Sequence, residues 1–285
     1  MSQTAIEKIS FENVAVVYNE DVAESYAVAQ NTLNILKSKG INSKIVSSSS
    51  EEKNFSSNFS FIMTVGGDGT ILKAARHYSD LPIFGINLGR LGFLAQADPD
   101  EMESAVEKLR NGDYKIQKRM MLSAFNCNFE GEVNALNDMV IKGDTFSRTS
   151  RLFLYINDKP VCDYLADGLI ISTPTGSTAY TLSAGGPVIS PELDAMVIVP
   201  ICPHTLTSRP LVIRANETIK ISSCKTCNKM KLSADGQNTI DIALNDFVTI
   251  KKSQNEANLV ILNKEDNEFY SILRKKLHWG IAPKG

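Results

Sequence analysis

Residues 61–70 read Phe61-Ile62-Met63-Thr64-Val65-Gly66-Gly67-Asp68-Gly69-Thr70. Five apolar or β-branched residues in a row fit a strand buried on both faces, and the glycines end it. The residues that follow, Ile71 to Tyr78, read as a helix. A strand closing on a Gly-rich turn that opens a helix is the place where ligands of open α/β sheets gather. The segments on either side repeat the pattern. Asn13–Tyr18 reads as a buried strand, and Val22, Tyr26, Ala29, Leu33 and Leu36 fall in steps of four and three along one helix face. Gly40 stops that helix and Ile41–Val46 is a second strand. Phe59–Val65 is the third strand, and Pro82–Asn87 follows as another. Asp98-Pro99-Asp100-Glu101 then opens a helix with Asp as cap, Pro in the first turn and Glu three residues after the cap. Alternating strands and helices predict a parallel sheet covered by helices.

Beyond about residue 115 the pattern changes. Arg151–Ile156, Thr218–Ser222, Met230–Ser233, Thr239–Ala243 and Phe247–Lys251 are short and mostly alternate apolar with polar residues. Asn157-Asp158, Asp235-Gly236 and Asn245-Asp246 supply turns between such runs. The expected organisation is an α/β domain over 1–115, a β-rich, sandwich-like domain over 116–265, and a C-terminal helix and tail over 266–285 that packs back on the first domain.

Composition narrows the function classes. The 285-residue chain is 43% hydrophobic, enough for a sizeable core without staples, and its net charge of −2 gives no bulk attraction to nucleic acid or anionic membranes. No apolar run approaches the roughly 18–20 residues of a membrane span. The first residues lack a charged-then-apolar signal pattern. Five cysteines, an odd number, then predict free thiols and a cytoplasmic location. Cys224-Lys225-Thr226-Cys227 stands alone without a second ligand pair, so it reads as a hairpin turn with two incidental thiols.

Two constellations carry chemistry. In the Gly66–Thr70 turn, glycines let backbone approach a phosphate and a helix N-terminus offers N–H donors. A carboxylate there repels phosphate unless it binds Mg²⁺ or takes a proton from an attacking hydroxyl; otherwise Asp68 simply caps the helix. The second runs from Asp167 to Tyr180. Thr173-Pro174-Thr175-Gly176-Ser177-Thr178 crowds hydroxyls around one turn suited to ribose, phosphate or base edges, and Tyr180 can stack on a base.

Read with Ala135-Leu136-Asn137-Asp138, Gly185-Gly186-Pro187, Pro203-His204-Thr205-Leu206, Arg209-Pro210-Leu211, Asn87–Phe93 and Leu232–Gln237, these segments resemble the bacterial NAD kinases. Those enzymes use ATP or polyphosphate to make NADP. Diacylglycerol and sphingosine-type lipid kinases share the first turn but not the rest. The resemblance runs from about residue 11 to Trp279-Gly280 and implies the two-domain NAD kinase/diacylglycerol kinase-like fold. It also implies a homotetramer or homodimer built through the β-rich domain, without nucleic-acid or membrane partners.

The resemblance implies residue roles as well. Asp68 would be the catalytic base, or the Mg²⁺-binding carboxylate, at the ribose hydroxyl that is phosphorylated. No other metal ligand is implied. Gly67 and Gly69 would bring backbone to the ligand, and Lys73 would touch phosphate. Asn137 and Asp138 would bind the dinucleotide, Arg148 a phosphate or the substrate, and Asp167 the carboxamide or a ribose. Ser177, Thr178, Ala179, Tyr180, Thr181, Leu182 and Ser183 would line the adenosine side, with Gln237 closing the pocket. The chain departs from the pattern twice: Asp138 stands where members often have Glu, and Leu165 where many have Arg. The implied reaction moves the γ-phosphoryl of Mg²⁺·ATP, or a phosphoryl of polyphosphate, to the 2′-hydroxyl of the adenosine ribose of NAD⁺. The alternatives are a lipid kinase of the related class and a non-catalytic NADP-binding regulator.

Overall fold

A computed structural model describes residues 11–50, 58–89, 92–126, 131–143, 149–223, 230–243, 246–263 and 269–278. The chain divides into two compact units, 1–118 with 257–285, and 119–256. The second unit therefore ends short of residue 265. The reason is pairing: Asn258 and Leu259 lie in parallel register with Pro82 and Ile83 of the first unit.

In the first unit, β1 (Asn13–Tyr18), β2 (Asn42–Ser47), β3 (Phe61–Gly66) and β4 (Pro82–Asn87) form a parallel sheet in the order β2-β1-β3-β4. Every residue of β3 and β4 is buried, which is what continuous apolar runs in a two-sided sheet require. Helices α1 (Ser25–Ser38), α2 (Asp68–His77) and α3 (Met102–Asn111) belong to this unit. Val14, Val16, Leu36, Phe61, Met63, Phe84, Met102, Val106 and Leu109 share one core. Asp98 and Glu101 form the expected capping box ahead of α3, and Gly112 ends it at φ 73°.

The buried face of α1 differs from the apolar stripe read in the sequence. It carries Ser25, Ala29, Thr32 and Leu36, while Tyr26 is 48% exposed. The Ser25 hydroxyl donates to Val65 O (2.9 Å) and accepts from Asn19 N (2.9 Å), and Thr32 Oγ1 donates to Val28 O (2.9 Å). Both hydroxyls are satisfied by backbone, so burying them carries little penalty.

The second unit holds β6 (Val133–Ala135), β7 (Asp138–Gly143), β8 (Ser150–Ile156), β9 (Lys159–Ala166), β10 (Gly168–Ser172), β11 (Ala195–Ile201), β12 (Leu211–Arg214), β13 (Ile219–Ser223), β14 (Met230–Ala234) and β15 (Asn238–Ile242). The chain crosses between the units within β5 (Tyr114–Phe125) and β16 (Phe247–Leu262). One sheet runs β12-β11-β10-β7-β14-β15. Its pairings are antiparallel, as are the β16–β13, β13–β8 and β8–β9 pairs. Met139, Ile141, Leu169, Ile171 and Ile198 of the first set pack with Leu152, Leu154, Ile219, Ile221 and Val248 of the second, a sandwich core. Val140, Ile170, Val197 and Val199 pack on the opposite face with Ile189, so β10 is buried along its whole length while β14 alternates.

The turn residues sit as expected: Asn157, Asp158, Asp235 and Gly236 all have positive φ. Helix α5 (Phe269–Leu277) belongs to the first unit, where the Lys276 ammonium lies 4.6 Å from the Phe93 ring centroid. No described helix is long and apolar enough to cross a membrane. Cys162 and Cys202 are free, and Cys224 and Cys227 lie outside the described residues.

Candidate functional site

The first unit presents Asp68 at the carboxyl end of β3. Gly67 is extended and caps α2, which starts at Asp68, three residues before the expected Ile71. Asp68 is half-buried, and its carboxylate accepts Phe93 N at Oδ2 (2.9 Å) and Leu94 N at Oδ1 (3.2 Å). The side chain thus pins the 92–94 loop to the start of α2. Gly92 makes this possible, because a Cβ there would stand 2.1 Å from Asp68 Oδ1. Lys73, one turn further along α2, shares a small pocket with Ser47, Ser48, Ser50 and His77. In the same turn Ser47 and Ser49 donate to the Glu20 carboxylate, and these bonds lead the causes that hold Glu20 below the usual carboxylate range.

The second unit contains a cavity of about 680 Å³. Asn137, Asp138, Val140, Lys142 and Gly143 line it from β7 and the residue before it. Asp167 lines it from the β9–β10 connection, Ala179 and Tyr180 from the start of α4 (Tyr180–Ser183), and Lys231, Ser233, Asp235, Gly236 and Thr239 from the β14–β15 hairpin.

Asn137 is held on both sides. Its N–H donates to Asp235 Oδ1 (2.7 Å), and its carbonyl accepts Thr173 N (2.9 Å) and Ser172 Oγ (3.2 Å). The Asp235 carboxylate also takes Leu136 N (3.1 Å) and Asp138 N (3.3 Å), while Asp235 N returns to Asp138 O (2.9 Å). With its backbone committed in this way, Asn137 has its side-chain amide left to meet a ligand. Asp138 is 4% exposed. Burial, reinforced by the Asp235 charge, pushes its carboxyl up to about 7, so it exchanges its proton near neutrality.

The hydroxyl-rich turn works differently from the sequence reading. Ser177 is fully buried, and its hydroxyl donates to Pro174 O (2.7 Å) and accepts Ile189 N (3.0 Å). Thr173 Oγ1 donates to Leu136 O (2.6 Å) and accepts Gly176 N (3.0 Å), and Thr178 Oγ1 donates to Thr175 O (3.3 Å). Thr181 is buried against Gly186, where an added Cβ would stand 2.5 Å from Thr181 Cγ2. The Thr173, Ser177 and Thr178 hydroxyls hold the turn itself, and Ala179 and Tyr180 are its contribution to the cavity wall. Of the other sequence candidates, Ser177, Thr178, Thr181, Leu182, Ser183 and Gln237 are not on the wall. Arg148 lies outside the described residues.

Lys142, Lys231, Ser233, Asp235 and Thr239 went unassigned in the sequence. Asp235 was visible there as half of a turn pair and within the Leu232–Gln237 segment, with no role of its own. Lys142 and Lys231 face each other in register across β7 and β14. Lys142 Nζ donates to the Tyr180 hydroxyl (3.2 Å) and sits 5.2 Å from its ring centroid, fixing the ring.

Residues 3–114 match the model of the ATP-NAD kinase N-terminal domain, and residues 136–262 that of the ATP-NAD kinase C-terminal domain. The chain belongs to the NAD kinase family. An NAD kinase of Caldanaerobacter subterraneus subsp. tengcongensis is 44% identical over 222 residues, covering 76% of this chain and 78% of the relative. One from Chlorobium limicola is 38% identical over 277 residues, 93% and 96% of the two chains. Among solved structures, an Archaeoglobus fulgidus NAD kinase in complex with ATP superposes with a TM-score of 0.77 at 28% identity, covering 91% of this chain and 98% of that one. Yeast NADH kinase complexed with NADH has the same fold, with a TM-score of 0.86 at 22% identity over 99% and 94% of the chains. NAD kinase membership thus spans both units and the residues of both candidate sites.

Proposed function

We propose that the protein phosphorylates the 2′-hydroxyl of the adenosine ribose of NAD⁺, using the γ-phosphoryl of ATP or a phosphoryl of polyphosphate, and releases NADP⁺. The observation that carries this reading is the second-unit cavity. An amide with its backbone immobilised (Asn137), a carboxyl that titrates near neutrality (Asp138) and an anchored aromatic ring (Tyr180) converge on it. An amide recognises a base edge, a carboxyl binds ribose hydroxyls as donor or acceptor, and a ring stacks on a base.

Asp68 is assigned the acceptor hydroxyl. Each of its oxygens accepts one backbone N–H and keeps lone-pair capacity for one further contact. Among the described residues no group of three or more His, Cys, Asp or Glu is placed to cage an ion. That donor set fits Mg²⁺ carried on the donor's phosphates, which needs one or two carboxylates rather than a protein cage. Bound there, the metal would offset the charge of the transferring phosphoryl group. The protein's own share is positioning, with Gly67 and Gly69 keeping side chains away from the phosphate turn and Lys73 adding a positive charge. We further assign a dimer or tetramer and a cytoplasmic location, which light scattering and fractionation test.

Purified protein with NAD⁺, ATP and Mg²⁺, coupled to an NADP-specific dehydrogenase, tests the reading. Steady NADP⁺ formation supports it. Tight dinucleotide binding without product would assign a regulator instead, and turnover of diacylglycerol in place of NAD⁺ a lipid kinase.

A further inference from the structure

We propose that Arg119 is a positioning residue of the dinucleotide cavity: from within the second unit it holds Thr175, and through it the turn that presents Ala179 and Tyr180. The inference rests on the reading of that cavity as the NAD⁺ site. Arg119 lies on β5, is 6% exposed, and donates from a terminal nitrogen to Thr175 Oγ1 (3.1 Å). Burial lowers its pKa to about 10, with Glu192 acting in the opposite sense, so the guanidinium remains charged at neutral pH. A cation taken out of water is costly unless it is well bonded. The bond to Thr175 meets part of that cost, and a charge-assisted bond of this kind is stronger than a neutral one.

What Thr175 controls follows from the rest of the turn. On one side the turn is fixed to the backbone of the cavity residue Asn137: Thr173 N donates to Asn137 O (2.9 Å), and a Cβ on Gly176 would stand 2.0 Å from that same oxygen. On the other side Arg119 fixes Thr175, the first residue of the 3-10 turn Thr175–Thr178. Ala179 N donates to Gly176 O (2.9 Å), so a shift at Thr175 is handed to Ala179 and Tyr180 on the cavity wall. The turn is clamped between Asn137 and Arg119, and Arg119, which does not line the cavity, acts on the ligand through it.

The test uses the full-length protein with Arg119→Lys, Thr175→Val and the double variant. Two quantities are read: amide exchange over residues 173–182, and the KM and kcat for NAD⁺. Thr175→Val nearly keeps volume and removes the hydroxyl that Arg119 donates to, so it decides the matter even if the Arg119 variant fails to fold. Expected are faster exchange at 176–180 and a KM for NAD⁺ raised about tenfold, the scale of one charge-assisted hydrogen bond, with kcat and the KM for ATP within about twofold. The double variant should be no worse than the worse single one. Unchanged exchange, or faster exchange with a native KM for NAD⁺, overturns the proposal. If the wild-type protein neither binds nor turns over NAD⁺, the functional reading fails, and the exchange result still decides whether Arg119 braces the turn.

Discussion

Asp68 uses one acceptor position on each carboxylate oxygen to hold the chain, at Phe93 N and Leu94 N. Replacing Asp68 therefore removes a loop anchor as well as the carboxylate proposed to act at the acceptor hydroxyl, and an inactive Asp68→Asn variant cannot separate the two. Gly92→Ala separates them better. It keeps the Asp68 carboxylate as a chemical group but puts a methyl 2.1 Å from the present position of Oδ1, so the carboxylate must shift. Turnover to NADP⁺ is expected to fall about 100-fold or more, because small misplacements of a reacting group are that costly. NAD⁺ affinity and the melting temperature should stay near wild type. An equal loss of NAD⁺ affinity, by calorimetry, would remove Asp68 from the phosphoryl step. Asp138 makes a second residue-scale prediction. Its folded pKa of about 7 lies above the roughly 3.9 of an unfolded Asp, so between those values the native state holds a proton that the unfolded state has released. The cost of this burial is absent below pH 4, grows as pH rises, and is complete above 7. Asp138→Asn should flatten the stability–pH curve from 4 to 7 and make the protein more stable than wild type at pH 8, by urea denaturation. A slope unchanged from wild type would place the titration elsewhere.

At the scale of elements, β3, β4 and the capping box before α3 were legible because burial on both faces and end-capping leave direct marks in residue type. The face of α1 was not, since a hydrophobic count passes over Ser25 and Thr32, which are buried because backbone satisfies them. The 173–178 turn shows the same limit in the candidate site. Its hydroxyl content is plain in the sequence, but which way the hydroxyls bond is a tertiary fact. Asp235 was hidden likewise: its turn chemistry is local, while the three N–H groups it accepts lie about a hundred residues upstream. Ser177→Ala tests the turn. If Ser177 clips Pro174 to Ile189, its loss strands a buried N–H and costs about 2 kcal/mol of stability, with only a small change in NAD⁺ affinity. If affinity collapses while stability holds, the hydroxyl belongs to the ligand after all.

At the scale of the molecule, two units with separate cores divide the labour assigned here, phosphoryl handling in one and dinucleotide recognition in the other. The chain passes between them through two long strands, β5 and β16, rather than through a Gly- or Pro-rich linker. A ligand recognised by the second unit should stabilise that unit first. NAD⁺ at a hundred times its dissociation constant contributes about 2.7 kcal/mol to whatever unfolds with its site. Hydrogen exchange with NAD⁺ alone, without donor, is therefore expected to slow most at 136–143, 167–180 and 230–239, the segments that bound the cavity. β1 and β2 of the first unit should change little, since their amides are held by their own parallel pairings and core. Protection concentrated in β1 and β2 instead would move dinucleotide recognition to the α/β unit and overturn the assignment of the cavity.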